Sequence, residues 1–184
     1  MRVISGELKG RRLVAPAGMA TRPTADRIKE SVFNILAGGI RDKRVLDLFA
    51  GTGALGIEAL SRGAIFAVFV DQAKAALSAI RRNIRDLKLD DRTKVIRWNI
   101  LNNLNCLIAE RRRFDLIFMD PPYETNAVAA TVTSLVSCGA LAPGARVVIE
   151  HSVNESVTAP IDTMVLADQR RFGKTLVSFM DAML

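Results

Sequence analysis

The sequence predicts an α/β fold with a doubly wound, mostly parallel sheet of seven strands. From residue 44 onward, short apolar runs alternate with amphipathic stretches, which implies parallel strands with helices on both faces of the sheet. The last two apolar runs have no helix between them, so we expect them to form an antiparallel hairpin at one edge. The seven expected strands are 45–49, 65–70, 94–97, 116–119, 146–149, 163–167 and 175–180.

Helices are expected between the strands and before the first of them. The segment 24–36 has apolar residues at helical spacing; Thr24 is its expected N-cap, and two glycines end it. Further helices are expected over 54–61, 73–87 and 127–136. The weakly patterned stretch 101–112 is assigned to a helix as well.

The first 20 residues are expected to form a separate unit. Short apolar stretches at 2–5 and 13–15 flank a segment rich in glycine and arginine, a pattern that predicts a β-hairpin with a basic tip. Prolines and a glycine then interrupt regular structure. We therefore expect a basic hairpin appendage over residues 1–20 and one main domain over residues 21–184.

Composition favours a globular protein of the cytoplasm. The 184 residues, 49% of them hydrophobic, are enough to bury a core without a disulfide or a metal. No apolar run approaches the roughly 20 residues of a membrane span, and the N-terminus lacks the apolar core of a secretory signal. Cys106 and Cys138 have no partner at metal-binding spacing and are expected to be buried free thiols. We expect a cytoplasmic monomer without a metal and without a membrane contact.

Positive charge is concentrated near the N-terminus. Residues 1–44 contain ten Lys and Arg against four Asp and Glu, which accounts for six of the seven net positive charges. A basic appendage on a nearly neutral body suggests a polyanionic partner, and we expect nucleic acid. A high isoelectric point that only aids solubility is the competing explanation. The residues expected to contact the nucleic acid are Arg2, Lys9, Arg11, Arg12, Arg22 and Arg27.

A glycine-rich turn follows the first expected strand. Gly51, Gly53 and Gly56 form the pattern G-x-G-x-x-G, and Asp71 lies at the end of the next strand. This pattern is typical of a dinucleotide site, in which the acidic residue binds ribose hydroxyls. Asp47 argues against NAD, because its carboxylate would face a pyrophosphate. A carboxylate at that place suits an ammonium group, and S-adenosylmethionine combines an ammonium group with an adenosine.

A second motif, Asp120-Pro121-Pro122-Tyr123, follows the fourth expected strand. Ligands of open α/β sheets bind at the carboxyl ends of the strands, so both motifs are expected to face one crevice. The prolines remove N–H groups and leave carbonyl acceptors beside the Asp120 carboxylate. Asp120 and the Pro121 carbonyl can then accept both hydrogens of an exocyclic amine, while Tyr123 stacks on the base that carries it.

The two motifs together resemble those of class I amino-methyltransferases. The segments 22–36 and 47–62, with Gly6-x-x-x-Gly10-Arg-Arg, are similar to the RsmD family, whose members methylate N2 of a guanine in bacterial 16S ribosomal RNA. The resemblance covers residues 2–150. It implies a Rossmann-like class I methyltransferase fold and S-adenosylmethionine as cofactor. The implied partner is 16S ribosomal RNA or a partly assembled 30S subunit.

The resemblance also implies roles for individual residues. Asp47, Gly51 and Gly53 would hold the methionine end of the cofactor. Asp71 would hold the ribose and Asn99 the adenine. The Arg22–Thr24 turn would close over cofactor and target, and the basic hairpin would grip RNA. The expected cofactor contacts are Asp47, Phe49, Ala50, Gly51, Thr52, Gly53, Asp71, Asn99, Arg22 and Thr24; the expected catalytic residues are Asp120, Pro121, Pro122 and Tyr123.

The expected mechanism relies on positioning. Asp120 orients the amine and stabilises positive charge on its nitrogen, with an ordinary carboxyl pKa and no role as a strong base. His151 is assigned a structural or solvent-facing role. Three other functions remain open: a DNA adenine-N6 methyltransferase, a small NAD-binding oxidoreductase and a non-catalytic RNA-binding assembly factor. The chain has no sizeable insert for reading duplex bases, which argues against the first.

Overall fold

A computed structural model describes residues 1–16, 23–110, 112–122, 127–155, 157 and 163–183. The strands in these residues are β1 (Arg44–Leu48), β2 (Phe66–Asp71), β3 (Thr93–Arg97), β4 (Phe114–Met119), β5 (Leu141–Ser152), β6 (Met164–Phe172) and β7 (Thr175–Ala182). They form one sheet in the order β3-β2-β1-β4-β5-β7-β6. Strands β1 to β5 pair in parallel, and β7 pairs antiparallel with both β5 and β6. The prediction of a mostly parallel sheet with an antiparallel hairpin at one edge is confirmed.

Five α-helices accompany these strands in the part of the chain that the structure describes. They are α1 (Pro23–Ile35), α2 (Ala54–Ser61), α3 (Lys74–Leu87), α4 (Asn105–Ile108) and α5 (Ala127–Ser137). A short 3-10 turn, Asp90–Arg92, precedes β3. The first helix begins at Pro23, a residue whose fixed φ suits the first helical position. Thr24 therefore lies in the first turn, and its predicted role as N-cap is wrong.

The predicted helix over residues 101–112 is also wrong, since only the single turn α4 forms there among the described residues. Asparagine side chains explain the difference. The Asn99 side chain accepts a hydrogen bond from the Leu101 N–H at 3.2 Å, and the Asn103 side chain accepts one from the Asn105 N–H at 3.0 Å. Such local bonds satisfy the backbone outside a helix and compete with helix formation.

Strand β5 is longer than the apolar pattern indicated. It begins at Leu141 and passes through Pro143 and Gly144, which were expected to lie before the strand. Its pairing with β4 shifts register between Phe114 and Leu116. A proline cannot donate to a strand partner, so this irregularity is the place where a strand can accommodate it.

Two apolar layers cover the two faces of the sheet. The first layer packs α1, α2 and α3 on one face and includes Ile28, Val32, Ile57 and Ile80. The second packs α4 and α5 on the other face and includes Leu107 and Val132. This is the three-layer arrangement expected when helices cross over between parallel strands.

The N-terminal segment folds back as a short hairpin with a bridge between Arg2 and Arg12. Val3 and Leu13 are buried in the first apolar layer. Residues 1–16 therefore share the core of the main domain. The predicted boundary at residue 20 falls among residues 17–22, outside the described residues.

Polar contacts fasten this hairpin to α2. The buried Glu58 carboxylate accepts hydrogen bonds from the Ile4 N–H at 2.7 Å and the Ser5 N–H at 3.0 Å. The Ser61 hydroxyl accepts one from the Leu8 N–H at 2.9 Å. Gly6, at φ +84°, lies so close to α2 that a Cβ there would be 1.8 Å from the Ser61 carbonyl oxygen. The hairpin is thus a fixed element and not a flexible arm.

No helix in the described part of the chain is long and apolar enough to cross a membrane. The same residues contain no group of three or more histidine, cysteine or carboxylate side chains arranged to hold a metal ion.

Candidate active site

A cleft of about 560 Å³ opens at the carboxyl ends of β1, β2, β4 and β5. A cleft of this size is in the range of small-molecule sites. Both sequence motifs contribute to it, as the sequence predicted. The lining residues are Met1, Ile28, Lys29, Val32, Asp47, Phe49, Ala50, Gly51, Thr52, Ala54, Leu55, Asp71, Met119, Asp120, Pro121, Pro122, Val148, Glu150 and Val177.

The glycine turn between β1 and α2 forms one wall. Phe49, Gly51 and Gly53 have positive φ angles of 57°, 56° and 74°, so the turn is tight and one of its left-handed residues is not a glycine. A left-handed conformation at a residue such as Phe49 is strained, and such strain is common at ligand sites. The turn exposes its backbone to the cleft.

Asp71 holds this turn in place. Its carboxylate accepts hydrogen bonds from the Gly51 N–H at 2.9 Å and, through its other oxygen, from the Ala73 N–H at 2.8 Å. Each carboxylate oxygen can accept more than one bond, so Asp71 can still receive ribose hydroxyls. Asp71, a predicted cofactor contact, therefore also fixes the conformation of the glycine turn.

Asp47 is buried under the turn. Its carboxylate accepts a hydrogen bond from the Gly56 N–H at 2.9 Å. A Cβ at Gly56 would lie 2.4 Å from the Phe69 ring, so the third glycine of the motif allows α2 to pack closely on the sheet. Burial first, and then the nearby charges of Asp120 and Asp71, raise the pKa of Asp47 to about 8.

The Asp120 turn forms the opposite wall. Asp120, Pro121 and Pro122 follow β4 directly and line the cleft. Burial, and next the charge of Glu150, raise the pKa of Asp120 to about 7. The side chain borders the open cleft, where solvent reaches it. Asp120 thus differs from the ordinary carboxyl that sequence analysis expected.

Four carboxylates therefore line one largely apolar cleft in the described residues: Asp47, Asp71, Asp120 and Glu150. The pKa values of Asp47 and Asp120 are raised by burial and by neighbouring negative charge, and such carboxylates gain free energy when a cation binds between them. The cleft is electrostatically suited to a positively charged ligand and unsuited to a pyrophosphate.

Lys29 on α1 is a cation of the cleft that no sequence motif indicated. Its ammonium group donates to the Arg2 carbonyl at 2.5 Å and lies 3.7 Å from the Glu58 carboxylate. Desolvation lowers the pKa of Lys29, against the opposing effect of the Glu58 and Asp26 carboxylates. The place of Lys29 beside Ile28 and Val32 on the apolar face of the helix indicated burial, whereas its charge indicated an exposed side chain.

Asn83 on α3 was missed as well. This buried side chain accepts a hydrogen bond from the Val14 N–H at 2.8 Å and donates to the Val14 and Thr52 carbonyls, both at 3.0 Å. The Thr52 hydroxyl contacts the Met1 sulfur at 3.7 Å. The hairpin and the glycine turn are therefore linked directly, which no local sequence pattern revealed.

The structure places most, but not all, expected cofactor contacts in the cleft. Gly53 is the N-cap of α2 and does not line it. Asn99 lies in a neighbouring depression formed by Gln72, Arg97, Trp98, Asn99, Asn102 and Asn103. Arg22, Tyr123 and the side chain of Thr24 lie outside what the structure describes, so their roles stay predictions.

The expected nucleic-acid contacts are exposed where they are described. Arg2, Lys9, Arg11 and Arg12 lie on the hairpin and Arg27 on α1, all exposed. The Arg11 guanidinium also donates to the Asp86 carbonyl at 2.9 Å, which brings the hairpin to the end of α3.

His151 lies away from this chemistry. It is buried between β5 and β7, where its Nε2 is 2.8 Å from the Ser178 hydroxyl and its Nδ1 is 3.0 Å from the Ser152 carbonyl. The structural alternative of the prediction fits this buried position, and the solvent-facing alternative is wrong. Cys106 and Cys138 are free and half-buried, so they are less enclosed than expected.

Comparison with known proteins identifies the family. A family model described as conserved hypothetical protein 95 matches residues 1–181. The putative rRNA methyltransferase YlbH of Bacillus subtilis (strain 168) is 38% identical over 178 residues, which is 97% of each chain. The ribosomal RNA small subunit methyltransferase D of Escherichia coli (strain K12) is 34% identical over 157 residues, covering 85% of this chain and 77% of its own. The chain belongs to the RsmD family.

The RsmD-family assignment extends to the fold. The structure of the putative methyltransferase yhhF from Escherichia coli superposes with a TM-score of 0.87 at 33% identity, covering 99% of this chain and 97% of that one. The prediction of a Rossmann-like class I methyltransferase fold is confirmed. An NAD-binding oxidoreductase, which the glycine turn alone left open, does not fit this family.

Proposed function

We propose that this protein transfers a methyl group from S-adenosylmethionine to the N2 amine of a guanine in 16S ribosomal RNA. One observation supports this most strongly: the acidic glycine turn and the Asp120 turn face each other across a single cleft. The names of the relatives indicate ribosomal RNA as the substrate. A ribosomal RNA substrate also favours a cytoplasmic enzyme. The enzyme acts as a monomer on 16S RNA, either free or in a partly assembled subunit.

The residues of the cleft fit the cofactor. The buried Asp47 carboxylate lies where an ammonium group would relieve its desolvation, and Asp71 lies where it can accept ribose hydroxyls. The positive φ angle of Gly51 lets the backbone approach a ligand closely. Asn99 and the depression around it adjoin Gln72, the residue after Asp71, and would receive the adenine. S-adenosylmethionine supplies a methyl group on a positively charged sulfur.

Asp120 and Pro121 act on the amine. The lone pair of the guanine amine is delocalised into the ring, so the amine is a weak nucleophile. Hydrogen bonds from its two hydrogens to the Asp120 carboxylate and the Pro121 carbonyl turn the lone pair toward the methyl group. As the nitrogen gains positive charge, the Asp120 carboxylate stabilises it electrostatically.

The raised pKa of Asp120 adds a second role. A carboxylate with a raised pKa is a better proton acceptor than an ordinary aspartate. Asp120 can therefore receive the proton that the nitrogen loses after transfer.

The test is single-turnover transfer of labelled methyl to 16S RNA and to 30S particles, with the wild type and Asp120→Asn. We expect the variant to transfer about 10²–10³-fold more slowly, because it loses the charge that stabilises the nitrogen. Its affinity for S-adenosylhomocysteine should stay within a few-fold of the wild type. Full activity of Asp120→Asn would contradict the mechanism. A wild type that binds both RNA substrates without transferring methyl would favour an assembly factor.

A further inference from the structure

Glu150 and Asp120 lie side by side at the carboxyl edge of the sheet. In the parallel pair of β4 and β5, Met119 is opposite Ile149, so Asp120 and Glu150 occupy the next position of each strand. Neighbouring strands are about 4.8 Å apart, and paired residues project to the same face. Both side chains accordingly line the same cleft.

An apolar surface surrounds this pair. Val148 lies two residues before Glu150 on the same face of β5, and Val177 lies opposite Glu150 on β7. Both valines line the cleft together with the side chains of Ile28 and Val32 from α1. A flat base can pack on such a surface with its polar edge directed at the carboxylates. The charge of Glu150 contributes to the raised pKa of Asp120, in keeping with this proximity.

The polar edge of guanine matches two adjacent carboxylates. It presents the N2 amine and, next to it, the N1–H, and both are donors. Adenine presents an acceptor at N1 instead, and an ionised carboxylate only accepts hydrogen bonds. Enzymes that act on a base read this edge with side-chain hydrogen bonds in the pocket.

We propose that Glu150 is a specificity-determining residue whose carboxylate accepts the hydrogen bond of the guanine N1–H, while Asp120 and Pro121 hold the N2 amine. This assignment rests on the proposed function, because it takes the target base to be a guanine in this cleft. Asp120 orients the reacting amine, and Glu150 selects the base that carries it. An adenine would place its N1 lone pair against the Glu150 carboxylate and would be rejected.

The expected discrimination is about 10- to 100-fold, as for other paired hydrogen bonds to a base edge. It can be measured with 2-aminopurine, which keeps the 2-amine of guanine but has an acceptor at N1. A ligated 16S RNA carries either guanine or 2-aminopurine at the position that the wild type methylates. The measured quantity is the ratio of kcat/KM for the two RNAs.

We expect the wild type to prefer the guanine RNA and Glu150→Gln to lose most of that preference. The amide of glutamine can donate to the N1 acceptor of 2-aminopurine, which an ionised carboxylate cannot do. A loss of folding or of RNA affinity would lower both kcat/KM values alike and leave their ratio unchanged. Glu155→Gln is the matched control, since Glu155 follows β5 and does not line the cleft.

An unchanged ratio in Glu150→Gln, with transfer still measurable, would overturn the assignment of Glu150 and leave the proposed function intact. Absence of transfer by the wild type to the guanine RNA would overturn the proposed function and the assignment with it. A preference that is lost equally in Glu155→Gln would show a general effect of charge and would also overturn the assignment.

Discussion

At the scale of single residues, Asp47 combines burial with a raised pKa. The unfolded chain releases this proton near pH 3.8, whereas the folded protein holds it up to about pH 8. Between these values the folded state binds more protons, so the free energy of unfolding falls as the pH rises. The limit for one such group is about 1.4 kcal/mol per pH unit.

The first prediction concerns this slope. Asp47→Asn should reduce the loss of stability of the unliganded protein between pH 5 and pH 8, as measured by thermal unfolding at a series of pH values. Asparagine keeps an oxygen for the Gly56 N–H, so the hydrogen bond within the fold can persist. The same variant should bind S-adenosylhomocysteine more weakly. An identical pH slope in variant and wild type would show that Asp47 is ionised in the fold.

A second prediction concerns Asp120 and the pH dependence of catalysis. Only the ionised Asp120 carboxylate can both accept a hydrogen bond from the amine and stabilise positive charge on its nitrogen. We therefore expect kcat/KM to fall at acid pH, with an apparent pKa well above the ordinary 3.8. Glu150→Gln should move that apparent pKa downward, because it removes a neighbouring negative charge. A profile that is flat from pH 5 to pH 8 would contradict the environment described for Asp120.

At the scale of elements, the hairpin depends on Gly6. Gly6→Ala introduces a Cβ that would lie 1.8 Å from the Ser61 carbonyl, whereas Gly10→Ala, at nearly the same positive φ, meets no atom within 4 Å. Both variants carry the strain of a left-handed alanine, about 1–3 kcal/mol. Gly6→Ala should lose additional stability in denaturant unfolding and should weaken RNA binding. Equal losses in the two variants would show that the hairpin does not dock as described.

Docking also changes how the basic appendage can be studied. Deletion of residues 1–15 removes Val3 and Leu13 from the core and leaves Glu58 buried without its Ile4 and Ser5 donors. Glu58 would keep its ion pairs with Lys29 and Arg62, but a buried carboxylate that loses two hydrogen-bond donors is destabilised. Point substitutions of exposed cations are therefore the cleaner test of RNA binding.

Element types were predictable where patterns are local. The alternation of apolar runs predicted every strand of the sheet, and the glycine turn was located because its motif is short and specific. Helix 101–112 was wrong because asparagine side chains compete with helical hydrogen bonds there. The long start of β5 was missed because Pro143 and Gly144 signal a turn, and only pairing with β4 overrides them.

At the scale of the whole molecule, the charge asymmetry predicts a strong dependence of RNA binding on salt. Removing one cation that binds a phosphate should make the slope of log K against log salt shallower by about 0.7–0.9. Arg12→Ala removes an exposed hairpin cation and should show this reduction. Arg171 lies on β6, at the sheet edge opposite β3, and Arg171→Ala is the control that should leave the slope unchanged. Equal slopes for wild type and Arg12→Ala would remove the hairpin from the RNA interface.

The candidate site could be predicted only in part from the sequence, because several of its residues lie far apart along the chain and have no local motif. Asp47, Asp71 and Asp120 follow strands of a parallel sheet, so their convergence follows from topology. Lys29 and Glu150 have no motif of their own, and they reach the cleft through the packing of α1 and the register of β5. Asn83 joins the hairpin to the glycine turn through a contact between residues far apart in sequence.

The most direct test of the central claim is the fate of the labelled methyl group. Unmodified 16S RNA and 30S particles are incubated with the wild-type protein and labelled S-adenosylmethionine, and the modified nucleoside is identified by mass spectrometry and mapped. We expect N2-methylguanosine at one position, formed by the wild type and strongly reduced with Asp120→Asn. Label on an adenine, or on guanine at an atom other than N2, would contradict the chemistry assigned to this cleft.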